Sequence, residues 1–211
     1  MQYTVTTPTG TREVNIVWPE GFKKVAITAG GGFDSSLLLW LYANLPTPEG
    51  CELVVATTMH GPGADVFAKN IVAKISELTG KTFEHFILPV APTTKSAHQV
   101  SFPTSIAMRR GMFECLIGAD TTNTPELDNL EGAPVRLTLD VAERYINAKH
   151  PFLHLDKSHT VQLAHDLGLD WLPKMTHTCT ESPDIRCGRC WQCSERAWAF
   201  NLLGLEDTGT F

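Results

Sequence analysis

Four of the six cysteines in this chain fall within its last 33 residues, spaced Cys179-x7-Cys187-x2-Cys190-x2-Cys193. No other feature limits the fold as tightly, because thiols so placed must either meet at one point or pair off. A Cys-x-x-Cys step delivers two thiolates from a single tight turn, and a tetrahedral zinc ion takes four sulfurs at roughly 2.3 Å. Cys190 takes part in two such steps, Gly188 relieves the turn, and Cys179 closes the set from a nearby segment. Four protein ligands fill a zinc ion, so the expected role is structural. Two disulfides, an iron–sulfur cluster or redox cysteines are the alternatives that the spacing leaves open. His177 is a conceivable substitute ligand but reads better as a loop residue. Cys51 and Cys115 sit inside apolar runs and are expected as buried thiols.

Residues 1–6 carry no basic stretch followed by an apolar run, so no export leader is expected there. A reducing, cytoplasmic setting follows, in which crowded cysteines bind metal rather than oxidise. The 17 Lys+Arg against 23 Asp+Glu, a net charge of −6, argue against a direct nucleic-acid partner. No run approaches the ~18 apolar residues of a membrane helix, so no membrane partner is expected. A 43% hydrophobic and 19% charged composition excludes global disorder. The 211 residues suffice for one domain that buries its own core. Its expected parts are an N-terminal hairpin (1–20), a nucleotide-binding core (22–170) and a zinc-binding module (171–211).

The hydrophobic pattern predicts an α/β fold. Residues 2–17 alternate around Pro8-Thr9-Gly10 and read as a β-hairpin. Continuous apolar runs at 24–28, 53–58 and 83–90 read as buried strands. Between them, 35–44 is apolar nearly all round and 66–79 has helical spacing ended by Gly80. Strand–helix–strand–helix–strand is the order of a doubly wound, mostly parallel sheet. Further on, 102–110 reads as a helix, 112–117 as a fourth strand ended by Gly118, and 120–133 as a loop. Residues 136–147, 158–167 and 195–203 read as helices.

Ala29-Gly30-Gly31-Gly32-Phe33-Asp34-Ser35-Ser36 lies between the first buried strand and the first helix. Glycines let backbone N–H groups approach a phosphate, and the helix N-terminus adds donors and a positive dipole end. Ser35 and Ser36 offer hydroxyls. Asp34, an anion, is expected to cap the helix or to hold a magnesium ion that bridges phosphates. An ordinary glycine-rich turn is the plainer alternative. The pattern is neither Gly-x-Gly-x-x-Gly nor a P-loop, for it has no lysine. Lys157 stands at a predicted helix start, where an ammonium opposes the dipole. A polyphosphate would account for it, and a solvated surface lysine is the alternative.

Gly30-Gly31-Gly32-Phe33-Asp34-Ser35 resembles the Ser-Gly-Gly-x-Asp-Ser loop of the PP-loop ATP pyrophosphatases, with Gly30 where that superfamily has serine. Together with the four cysteines, which run into Ser194-Glu195-Arg196, and with Lys157 before a helix ending Leu167-Gly168-Leu169, the chain resembles the 7-cyano-7-deazaguanine synthase family. The resemblance is dense at both ends and thin in the middle. There Arg109-Arg110 stands near the family's Arg-Asn pair, and its Tyr-Pro-Asp-Cys-Arg stretch has no clear counterpart; Asp128 and Arg136 are weak stand-ins. The N-terminal hairpin reads as an addition to the family core.

The resemblance implies an adenine nucleotide alpha hydrolase-like, Rossmann-like fold. It implies an ATP-dependent carbon–nitrogen ligase that adenylates 7-carboxy-7-deazaguanine and takes up ammonia to give the nitrile. The cofactors would be structural zinc and ATP with magnesium, and the assembly a homodimer. Asp34, Ser35, Lys157 and Arg109 would be catalytic. Gly30, Gly31, Gly32, Phe33, Asp34, Ser35, Ser36, Gly118 and Lys157 would bind the nucleotide. A variant that stops at the amide, another acceptor, or a non-catalytic binding remnant of the fold are the alternatives. His60, at a strand end, is placed for ligand contact but reads better as a loop residue.

Overall fold

A computed structural model describes residues 1–58, 63–88, 114–117 and 148–209. Among them a five-stranded sheet runs in the order β5-β4-β3-β6-β7, every pairing parallel. Its strands are β3 (Lys24–Thr28), β4 (Glu52–Thr58), β5 (Glu84–Leu88), β6 (Glu114–Ile117) and β7 (Ala148–Lys149). Val25, Ala26 and Ile27 are fully buried, as are Val54 and Val55. Such unbroken apolar strands suit a sheet covered on both faces. The crossover helices are α1 (Phe33–Asn44) and α2 (Ala64–Thr79). Leu37, Leu38, Leu39 and Leu41 of α1 are all fully buried, which explains a helix with no polar stripe. Gly80 ends α2 in the left-handed conformation, with φ +68°.

The chain leaves β3 toward β4 and β5 on one side, and β6 and β7 lie on the other. The strand order therefore reverses between β3 and β6. In open parallel sheets this switch point, at the carboxyl ends of the strands, opens the crevice that takes ligands. The glycine loop follows β3 directly and so stands at that crevice.

The hairpin pairs β1 (Gln2–Thr7) with β2 (Gly10–Asn15), from Gln2↔Asn15 to Thr7↔Gly10. Far from being an appendage, it sends Val5, Val14 and Ile16 into the main core. It is also tied to α3 (Lys157–Asp166) by polar contacts at Asp156, the N-cap of that helix. Asp156 accepts from the backbone N–H of Ser158 (2.9 Å) and from the hydroxyl of Thr9 in the hairpin turn (2.6 Å). Burial opposes its charged form, but hydrogen bonds from His159, Ser158 and Thr9 outweigh it and hold this carboxyl well below the usual carboxylate range.

The C-terminal part holds α4 (Trp171–Met175) and α5 (Trp191–Leu203). The sequence pattern starts the last helix at Glu195, yet α5 begins four residues earlier. Cys190 is its N-cap, so the Cys-x-x-Cys turn passes straight into the helix and Cys193 lies in its first turn. Cys51, expected to be buried, is only partly so. It sits one residue before β4, where its thiol faces the Phe22 carbonyl oxygen at 3.5 Å. The readings at 102–110, 120–133 and 136–147, with those on His60, Arg109, Arg110 and Gly118, lie outside the described residues. Among the described residues, no helix is long and apolar enough to cross a membrane.

Candidate nucleotide site and metal centre

The three glycines do different work. Gly31 has φ +79°, and a Cβ there would stand 2.5 Å from Cβ of Phe67 and 3.0 Å from the Ala68 nitrogen. This glycine lets the loop lie directly against α2. At Gly30 and Gly32, no atom of the described residues comes within 4 Å of an added Cβ. Among the described residues the loop is thus anchored at its middle and free of close contacts on either side.

Gly32, not Asp34, is the N-cap of α1, and no side chain caps this end. That corrects the capping role expected of Asp34. The Ser35 and Ser36 hydroxyls both donate to the Gly32 carbonyl oxygen, at 3.4 and 2.6 Å. They close the first turn of the helix instead of pointing outward. The N–H groups of that turn remain a cluster of donors at the positive end of a 12-residue helix.

Asp34 accepts on both carboxylate oxygens. Lys157 Nζ lies on Oδ2, and the Thr160 hydroxyl donates to Oδ1 at 3.0 Å. Lys157 is 4% exposed, so it is no solvated surface lysine. A second carboxylate, Glu195 of α5, lies 3.4 Å from the same ammonium. A buried ammonium needs close counter-charges, and these two outweigh the unfavourable dipole of α3. In the sequence Glu195 and Arg196 stood out only as part of the family pattern after the cysteines, with no role assigned to them. Thr160 was the most findable, since a residue three after Lys157 shares its helix face.

Behind Phe33 lies a second buried charge group. Arg196 is fully buried and grips Asp207 through Nε (2.9 Å) and Nη2 (2.8 Å). It also donates to the carbonyl oxygens of Thr176 (3.1 Å) and Pro173 (2.7 Å). Its guanidinium stands 5.6 Å from the ring centre of Phe33, packing the glycine loop from below. Arg186 joins the same Asp207 and donates to the Gly209 carbonyl oxygen at 2.9 Å. Burial lowers the Arg196 pKa. Burial alone would raise Asp207, but the two guanidiniums outweigh it and its carboxyl sits below the usual range.

The sulfurs of Cys179, Cys187, Cys190 and Cys193 all lie within 4.8 Å of one another. A tetrahedral zinc ion with roughly 2.3 Å bonds needs sulfurs about 3.8 Å apart. The cluster therefore fits one metal ion with little adjustment. Backbone N–H groups point at the sulfurs: Cys187 N–H at Cys179 (3.4 Å) and Cys190 N–H at Cys187 (3.2 Å). The Arg189 N–H is the main cause that draws the Cys187 thiol down to about 6. Burial pushes Cys193 the other way. His177 is not part of this set. Its ring stacks on Phe67 (4.5 Å, 7°), its Nε2 donates to the Ser182 carbonyl oxygen (2.7 Å), and its backbone N–H donates to Gly31 (3.0 Å). It joins the cysteine segment to the glycine loop.

The model of the family described as "Queuosine biosynthesis protein QueC" matches residues 68–204. A 7-cyano-7-deazaguanine synthase from Frankia casuarinae is 32% identical over 120 residues, covering 51% of this chain and 50% of that protein. One from Clostridium kluyveri is 25% identical over 222 residues, covering 88% of this chain and 96% of that protein. The matches to the Nostoc sp. relative span only 26% of its length, at 40% identity. The chain thus aligns with half or less of the relatives it matches at higher identity, and with nearly all of a more distant one. Among solved structures, the U34-tRNA thiolase NcsA from Methanococcus maripaludis, with its 4Fe–4S cluster, superimposes at a TM-score of 0.47 with 15% identity, over 87% of this chain and 67% of that one.

Proposed function

The chain belongs to the family of the queuosine biosynthesis protein QueC, and from that premise we propose that it is an ATP-dependent ligase converting 7-carboxy-7-deazaguanine and ammonia into 7-cyano-7-deazaguanine. The observation that carries this reading is the open glycine loop at the switch point of the sheet, with Lys157 held against its Asp34. That arrangement suits a polyphosphate, and adenylation uses one.

In the proposed reaction the substrate carboxylate attacks the α-phosphorus of ATP and pyrophosphate leaves. Ammonia then displaces AMP from the acyl adenylate, giving the amide. The amide oxygen takes a second adenylyl group, again releasing pyrophosphate, and loss of AMP leaves the nitrile. Each step moves negative charge between oxygens, so the protein's task is positioning and charge neutralisation. Backbone N–H groups at Gly30, Gly31, Gly32 and the first turn of α1 would hold the phosphates. Ser35 and Ser36 would keep that turn closed through Gly32. Asp34 would hold the magnesium ion, which when bound neutralises phosphate charge. Lys157 would then exchange Asp34 for a phosphate oxygen. Arg109 would pair with the acceptor carboxylate or a phosphate, and Gly118 would contribute to the nucleotide site. Zinc would be held by Cys179, Cys187, Cys190 and Cys193, as a structural ion with no open coordination position.

The test is to mix the purified chain with magnesium-ATP, ammonium and 7-carboxy-7-deazaguanine, and to follow AMP and the base together by mass spectrometry. AMP rising with the nitrile, two per product, is the expected result. AMP with amide alone restricts the reaction to the first round. No acceptor-dependent AMP defeats the proposal.

A further inference from the structure

Glu195 is a buried acid with no part in the reaction as drawn above. It lies in the second turn of α5, two residues after the metal-cluster cysteine Cys193, and its side chain is 4% exposed. Its carboxylate stands 3.4 Å from Lys157 Nζ. Lys157 also has Asp34 in contact. The two carboxylates come from different elements, Asp34 from α1 and Glu195 from α5, and reach a lysine on a third. Asp34, in the first turn of α1 after the glycine loop, has a side chain 17% exposed, whereas Glu195 is 4% exposed on the helix that also carries Arg196. An acid drawn toward a magnesium ion gives up its ammonium. The Glu195 contact remains on the Lys157 ammonium while it moves from Asp34 to a phosphate oxygen.

On the nucleotide reading given above, we infer that Glu195 is a positioning residue: it retains the Lys157 ammonium beside the glycine loop when Asp34 turns to the magnesium of bound ATP. Glu195 touches no phosphate and acts through Lys157. Because α5 starts within the cysteine cluster, this contact also makes the metal module responsible for where Lys157 stands.

The sign of one measurement separates this role from a plain charge effect. Removing a negative charge near an anion site strengthens anion binding. Losing the second hold on Lys157 weakens it. Binding of magnesium-ATP to the full chain is therefore measured by titration calorimetry for the wild type, Glu195→Gln, Lys157→Met and the double variant. Zinc content and melting temperature are recorded for each. Glu195→Gln is expected to weaken binding about tenfold with its zinc retained. In the Lys157→Met background the same change is expected to cost less than twofold, because the residue through which it acts is gone. Should Glu195→Gln fail to fold, Glu195→Asp, whose shorter arm cannot keep the contact, is read in the same way.

Unchanged or tighter binding in the Glu195 variant overturns the inference. So does an equal loss in both backgrounds, or a loss of zinc in step with ATP, either of which marks a merely structural acid. A wild type that binds no magnesium-ATP defeats the nucleotide reading itself, and this inference with it. That outcome is visible in the wild-type titration alone.

Discussion

At the scale of single residues, neighbouring glycines of one loop carry opposite expectations. Gly31→Ala forces a side chain into φ +79° and onto the backbone of α2. It is expected to cost about 2 kcal/mol or more, read as a lower melting temperature. Gly30→Ser places its Cβ at least 4 Å from every atom of the described residues outside its chain neighbours. It is expected to leave stability within about 0.5 kcal/mol and to raise acceptor-dependent pyrophosphate release, since it restores the hydroxyl found in the superfamily loop. A drop in that rate would show that the serine position here does something else. Lys157→Met leaves Asp34 and Glu195 without their shared cation. Removing one partner of a buried ion pair costs about 3 kcal/mol, so a lower denaturant midpoint should accompany the loss of adenylation.

At the scale of elements, the contact between hairpin and α3 makes a pH prediction. Asp156 has a depressed pKa in the folded state. Its contribution is therefore complete above the unfolded value, about 3.9, and disappears as pH falls below it. Asp156→Asn should melt lower than the wild type at neutral pH, and the gap should begin to narrow below about pH 4 and close only as the folded-state carboxyl protonates. A gap independent of pH would assign the effect to geometry. This contact also shows what the sequence could and could not reveal. The strands and helices were legible because burial on two faces writes continuous apolar runs, and burial of one face writes a period. Gly80 and Gly168 marked helix ends through their left-handed backbone. The hairpin was legible as an element, but its partner was not, since Thr7, Thr9 and Asp156 are unremarkable residues far apart in the chain. Short α4 was missed because Pro173 looks like a breaker, although proline is tolerated in a first helical turn. At the site, the glycines, Lys157 and the cysteines stood out by spacing. Glu195 and Arg196 entered only as part of the family pattern and Asp207 not at all, because only the folded structure reveals that these charged side chains are buried.

At the scale of the whole molecule, the cysteine cluster and the nucleotide loop share one frame. Cys193, Glu195, Arg196 and Phe200 follow one another on α5, and Phe200 packs edge-on against Phe33 of the loop at 6.1 Å. Elemental analysis should find one zinc ion per chain, and an iron signal would overturn that assignment. Stripping the metal with a strong chelator should lower the melting temperature by about 10 °C, as a loss of ~3 kcal/mol does in a chain of this size. It should weaken ATP binding at the same time. If metal-free protein bound ATP as before, the two centres would be independent. The hairpin carries a last consequence, one of timing. Thr7 meets His159, a residue 152 positions later. A ribosome adding about 5–20 residues per second finishes β1 and β2 and then needs roughly 8–30 s to produce the helix they pack on. During that interval the polar contacts of Thr7 and Thr9 with α3 cannot form. The hairpin is made long before the helix it bonds to, so these contacts are secured late.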